Sequence, residues 1–118
     1  MIQHIVLLKL DPEATDDQIR AAFDAGSELP NQIPGVTRIT YGRDRSQPEH
    51  GFNLVSVVEV DDDDALETYM SHPSRMEWID RHVAPLTEER IELDVPSDGA
   101  HLPTTATWYW GIASALEE

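Results

Sequence analysis

Four side chains in this sequence are the leading candidates to move a proton or hold a developing negative charge: His4, Tyr69, His72 and Arg75. Histidine is the side chain whose ionisation lies nearest neutral pH, so His4 beside a tyrosine makes a workable acid–base pair. Arginine stays protonated at any working pH, so Arg75 cannot act as a base. It can instead bind a carboxylate or stabilise an enolate oxygen. Each residue also has a plainer reading. His4 can bond backbone at a strand end. Tyr69, three residues after Leu66, faces inward, either into a pocket or simply into the core. His72 directly precedes Pro73 and suits a helix N-cap or turn. Arg75 suits a surface ion pair with Glu77, Asp80 or another acid. Tyr41, Trp78, His50 and His82 are weaker candidates, and Trp78 reads first as helix packing.

The elements that must position these residues are legible from periodicity. Gln3 to Leu10 is apolar on both alternating faces apart from Lys9, a strand covered on both sides. Thr15 and Gln18 have the spacing of a capping box, with Asp16 and Asp17 in the first turn. The apolar spacing of Ile19, Ala22, Phe23, Gly26 and Leu29 predicts a helix from about Asp16 to Leu29, stopped by Pro30 and Pro34-Gly35. Val36 to Tyr41 reads as a second strand, Gly42 to Gly51 as a loop and Phe52 to Val60 as a third strand. Asp64 is placed as the cap of the next helix, with Glu67 at its third position. Pro73 opens a further helix, with Met76, Ile79 and Val83 on one face and Pro85 at its end. Ile91, Leu93 and Val95 alternate with Glu92 and Asp94 in a fourth strand. The order β-α-β-β-α-β gives an α+β, ferredoxin-like, split-βαβ fold over residues 1–95. Residues 96–118 lie outside that unit. They gather Trp108 and Trp110 into an aromatic segment, which is expected to dock on its own or a partner subunit as packing or as a lid.

The chain has 118 residues, 23 acidic and 8 basic, for a net charge of −15. One domain fits that length. The acidity argues against nucleic acid and anionic membranes, which need a basic footprint. With no cysteine, disulfides and thiolate chemistry are excluded. No apolar run approaches a membrane span, and the N-terminus lacks the pattern of a signal peptide, so a soluble cytoplasmic protein is expected. The histidines show no zinc spacing and the glycines no phosphate-binding pattern. The run Asp61 to Asp64 lacks the glycine and glutamate of a calcium loop. Neither a metal nor a cofactor is expected. The two apolar faces of the first and third strands predict that the sheet packs against a second copy, a homodimer, unless the 23-residue tail covers it.

Met1 to Leu10, then Gly51-Phe52 running into an apolar strand, then Leu66 to Pro73, and finally Pro85-Leu86 together resemble the stress-responsive dimeric α/β-barrel (Dabb) family. The resemblance spans residues 1 to about 95. It implies a homodimer whose two sheets form a central barrel, with a pocket between sheet and helices in each subunit, which His4 would line. Some members are stress proteins of unclear activity, and others are cofactor-free polyketide cyclases. In the cyclases the base is the second histidine of a His-Pro-x-His stretch, helped by a tyrosine six residues upstream. Here Tyr69, His72 and Pro73 match, but Arg75 stands where the second histidine would be, so that mechanism does not transfer intact. The expectation is a cofactor-independent enzyme of cyclase or lyase type on a small, apolar, oxygenated substrate. His4, Tyr69 and Arg75 would be catalytic, with His72, Tyr41, Trp78, Phe23, Trp108 and Trp110 around the substrate. The alternatives are a non-catalytic stress-responsive barrel and a cofactor-free monooxygenase.

Overall fold

A computed structural model describes residues 1–46 and 51–96; the expected aromatic segment with Trp108 and Trp110, and His50, lie outside the described residues. Four strands, β1 (Ile2–Leu10), β2 (Val36–Arg43), β3 (Leu54–Val60) and β4 (Thr87–Pro96), form one sheet in the order β2-β3-β1-β4. All paired neighbours run antiparallel. Helices α1 (Asp16–Gly26), α2 (Leu29–Gln32), α3 (Asp63–Ser71) and α4 (Pro73–Trp78) supply the second layer. This is the expected ferredoxin-like arrangement.

The local chemistry explains most boundaries. The predicted capping box is present: the Gln18 amide donates to Thr15 Oγ1 at 3.1 Å, and the Thr15 amide donates to Gln18 Oε1 at 2.9 Å. The predicted single helix to Leu29 is two helices. In a continuous helix the Pro30 ring would strike the carbonyl of Gly26, so α1 ends there and Pro30 opens α2 instead. Asp62, not Asp64, caps α3, its carboxylate accepting from the Ala65 amide at 2.8 Å. Strand β2 runs two residues into the predicted loop, through Gly42 and Arg43, and β3 starts at Leu54 rather than Phe52. Gly35, before β2, adopts φ +86°, and a Cβ there would lie 2.6 Å from Ala65 Cβ. The chain therefore needs glycine to pass under α3.

The even-numbered residues of β1 and β3 face the helices. Leu8, Leu54, Val58 and Val60 are buried there against Leu29, Ile33, Tyr69 and Val83 from the helical layer. Ile19, Ala22 and Leu86 close a further part of the core. After α4 the backbone widens into a π-helical turn over Ile79–Val83 and then a 3-10 turn over Ala84–Leu86. The expected apolar face of the last helix is only partly present: Val83 is buried, but Met76 is exposed and Arg75 is buried in its place.

The opposite sheet face carries Ile5, Leu7, Val55 and Val57, paired side by side, and continues onto β4 with Ile91, Leu93 and Val95. Those last three are 41%, 47% and 40% exposed. Over the second half of β4 the usual pattern is inverted, because Ile91, Leu93 and Val95 point away from the helices while Glu92 and Asp94 point toward them. No helix among the described residues is long and apolar enough to cross a membrane.

Candidate active site

His4 is the fixed point of the site. It sits on β1, on the helical side of the sheet, and is only 1% exposed. The register of β1 with β4 places it opposite Asp94. The Asp94 carboxylate lies 2.6 Å from His4 Nδ1. A carboxylate can only accept, so the proton sits on Nδ1 and the ring is held in one orientation. In the neutral ring Nε2 is then the nitrogen that accepts. It has no hydrogen-bond partner among the described residues, although Glu92 Oε1 lies 3.3 Å away.

Tyr69 comes from the inward face of α3 and is equally buried. Its ring meets the His4 ring edge-on, 5.7 Å between centroids. Burial pushes its phenol above the ordinary value near 10, and the Arg75 guanidinium pulls the other way without overcoming it. Tyr69 is therefore a neutral O–H group at working pH, suited to donate a hydrogen bond to a carbonyl oxygen.

Arg75 corrects the expectation of a surface ion pair with Glu77 or Asp80. It is 6% exposed. Its Nη1 donates to the Met70 carbonyl at 3.1 Å and its Nη2 to Glu92 Oε1 at 3.4 Å. The guanidinium carbon lies 5.2 Å from the centre of the Tyr69 ring, a cation–π contact. Its turn is set by Pro73 and by His72, whose Nδ1 accepts from the Ser74 amide at 3.1 Å. His72 is thus occupied as the cap of α4, as its plainer reading held. It is not among the residues lining the cavity beside His4.

His4, Tyr69 and Arg75 line one small cavity of about 20 Å³, together with Ser56, Trp78, Arg90 and Glu92. A second, largely apolar cavity of about 30 Å³ adjoins it, with Leu8, Ser56, Trp78 and Val83 common to both. Phe23 and Tyr41 line the second cavity, not the first. Their rings stack 4.1 Å apart, and the Tyr41 hydroxyl donates to the Phe23 carbonyl at 2.7 Å. Trp78 stands between the cavities, anchored by its Nε1–H donating to the Ala22 carbonyl at 2.9 Å. It lies so close over α1 that a Cβ on Gly26 would come within 2.9 Å of its ring. His82 lies on an outer groove on the far side of the helices.

Sequence reasoning missed Asp94 and Glu92. The available signal was their i, i+2 spacing on β4, which puts both on one face. Only the strand pairing shows that this face is the one His4 occupies.

The Stress responsive A/B Barrel Domain family matches residues 2–97. The chain belongs to that family. Olivetolic acid cyclase from Cannabis sativa is 26% identical over 77 residues, covering 64% of this chain and 76% of the relative. A dimeric ferredoxin-like protein of unknown function from Thermobifida fusca superposes with a TM-score of 0.70 at 25% identity, covering 81% of this chain and 90% of that one. Hydroxynitrile lyase from Passiflora edulis superposes with a TM-score of 0.73 at 17% identity, covering 86% and 96%. At that identity the likeness speaks to the fold alone. The fold is thus shared with a protein named for lyase chemistry, and a shared fold does not fix the reaction.

The raised Tyr69 ionisation has a consequence for stability. An unfolded tyrosine loses its proton at about pH 10, whereas the buried one keeps it to higher pH. The stabilisation from Tyr69 is therefore complete below that pH and is lost as pH rises through the folded-state value. Urea unfolding followed from pH 8 to 11 should show a steeper alkaline fall for the parent than for Tyr69→Phe; parallel curves would refute the assignment.

Proposed function

We propose that this protein is a cofactor-independent enzyme that moves a proton next to a carbonyl group, in a cyclase- or lyase-type reaction on a small, oxygenated, largely apolar molecule. The observation that carries the reading is the Asp94–His4 pair. A buried imidazole held by a carboxylate at 2.6 Å leaves an unpartnered Nε2 on a cavity. In this mechanism Nε2 takes the α-proton and the electron pair moves onto the carbonyl oxygen. Tyr69 O–H donates to that oxygen as an enolate, and the Arg75 guanidinium supplies the positive charge beside it. The enolate carbon then attacks an electrophilic carbon, and the His4 imidazolium returns its proton to the new alkoxide. Arg75 acts as an anion clamp and Tyr69 as a donor. Trp78, Phe23 and Tyr41 shape the apolar end. The kinship with a cyclase supports the reaction class, and the position of Arg75 makes His4 the base.

The assay is hydrogen–deuterium exchange at the α-carbon of simple 1,3-diketones in D2O, followed by NMR. The parent should accelerate exchange. His4→Gln should lose about 10²–10⁴-fold of that acceleration, the usual share of a general base. Exchange equal in parent and His4→Gln, with both folded, would remove the assignment.

A second reading, a non-catalytic barrel, is favoured by one observation. Cavities of about 20 and 30 Å³ hold little more than a water each, far below the several hundred Å³ of a typical ligand site. Absence of any exchange activity in the folded parent would select this reading.

The protein is further proposed to be a homodimer joined through the helix-free sheet face. A stripe of Ile5, Leu7, Val55, Val57, Ile91, Leu93 and Val95 supports this, since each aliphatic side chain buried there contributes about 1.5–3 kcal/mol, as does the description of the Thermobifida fusca protein as dimeric. Sedimentation at micromolar concentration should give a dimer for the parent and a monomer for Leu93→Lys. A monomeric parent, or a dimer unaffected by the lysine, would overturn the interface.

A further inference from the structure

Arg75 leaves part of its donor capacity unused for so buried a cation. Nε has no partner among the described residues, Nη1 donates to the Met70 carbonyl at 3.1 Å and the Met76 sulfur at 3.9 Å, and Nη2 meets Glu92 at the long distance of 3.4 Å. Nε and Nη2 form one edge of the guanidinium, the edge that a carboxylate bridges with two parallel short bonds. Glu92 touches that edge with a single oxygen. The same Oε1 lies 3.3 Å from His4 Nε2 without bonding it, and Oε2 lies 3.8 Å from Arg90 Nε. Glu92 is thus shared among three nitrogen groups and bonded well to none of them. It stands on β4, an edge strand, with its side chain 29% exposed. It can therefore turn toward Arg90 and water without disturbing the core.

Two buried nitrogens, Arg75 Nε and His4 Nε2, are left unsatisfied on one cavity. Buried polar atoms of this kind are rare in folded chains and call for an occupant. We propose that the ligand of this site is a carboxylate, and that Glu92 is its placeholder on Arg75, displaced toward Arg90 when the ligand enters. The proposal rests on the reading of His4, Tyr69 and Arg75 as the functional cluster, and it names the chemical class that the cluster takes. The incoming carboxylate bridges Arg75 Nε–H and Nη2–H, satisfying the orphaned donor. Its remaining carbon chain points past His4 toward the apolar cavity behind Trp78. Glu92 acts as a built-in competitor and sets the affinity for acids. A neutral ligand gains nothing from displacing it.

The test is binding of acetate to the full chain, followed by NMR shifts of the His4 and Arg75 signals, with acetamide as the neutral counterpart. Glu92→Gln keeps the shape and removes the competing charge. If Glu92 occupies Arg75 about nine-tenths of the time, its removal should tighten acetate about tenfold, because apparent affinity scales with the competent fraction. Glu89→Gln makes the same change in net charge on the other sheet face, where Glu89 pairs with Lys9 at 3.5 Å, and should shift acetate less than twofold. Glu92→Ala, as a second variant, should bind acetate at least as tightly as Glu92→Gln. Acetamide should bind the parent and Glu92→Gln alike. The proposal is overturned if Glu92→Gln leaves acetate binding unchanged or weakens it, if Glu89→Gln tightens it equally, or if acetate binds no better than acetamide. A protein that takes up acetate as expected but exchanges no α-proton loses the catalytic reading and keeps this one. One that exchanges protons while Glu92→Gln has no effect on acetate loses only this one.

Discussion

The site depends on the register of two strands. β1 and β4 pair so that His4 faces Asp94 and Val6 faces Glu92. A slip of one residue would turn every side chain on β4 to the opposite face of the sheet. It would bring Leu93 beside His4 and carry both carboxylates away from the helices. The pairing is anchored along its length by the apolar face, where Ile5 meets Leu93 and Leu7 meets Ile91. The hydrophobic stripe on one side of the sheet therefore fixes the acid–base geometry on the other. The proposed association and the proposed chemistry rest on the same alternation of residues.

The helical layer supplies the rest. Burying a guanidinium costs several kcal/mol unless its charge is answered. Here the answer is distributed over the Met70 carbonyl, the Tyr69 ring and Glu92. The π-helical turn after α4 contributes to this arrangement. Its Ile79 and Val83 line the site cavity, while Trp78, just before it, spans the two cavities. The small size of those cavities follows from the same packing. Trp78 wedges between α1 and the sheet, bonded to Ala22 and seated over Gly26. Space for a substrate larger than a few atoms requires that side chain to move.

Much of this was legible in the residues themselves, and the exceptions share a cause. Thr15, Gln18 and the apolar patterns of β1 and β3 are local signals, and the elements they specify are present, with α1 ending at Gly26 and β3 starting at Leu54. The spacing of Tyr69 to Leu66 predicts its inward orientation, and Tyr69 is buried. The burial of Arg75 was not legible, because Glu77 and Asp80 lie close in sequence while its true acidic partner, Glu92, arrives from a different element. Asp94 escaped for a related reason. On a strand of alternating apolar and acidic residues, the acids read as the solvent side, yet on β4 they face the helices and the apolar set is bare. That inversion makes sense once a second surface covers the apolar set. The split of the first helix at Gly26 was readable in principle, since Pro30 forbids the carbonyl four residues before it from staying in helical register.

The account stands on the claim that Asp94 holds the His4 proton on Nδ1 and leaves Nε2 as the acceptor. Long-range hydrogen–nitrogen correlation spectra of ring-labelled histidine report the two nitrogens separately. The account predicts a neutral His4 ring protonated on Nδ1 in the parent and a change of tautomer or an averaging of the two nitrogens in Asp94→Asn. A His4 ring protonated on Nε2 in the parent, or spectra identical in the parent and in Asp94→Asn, would contradict it.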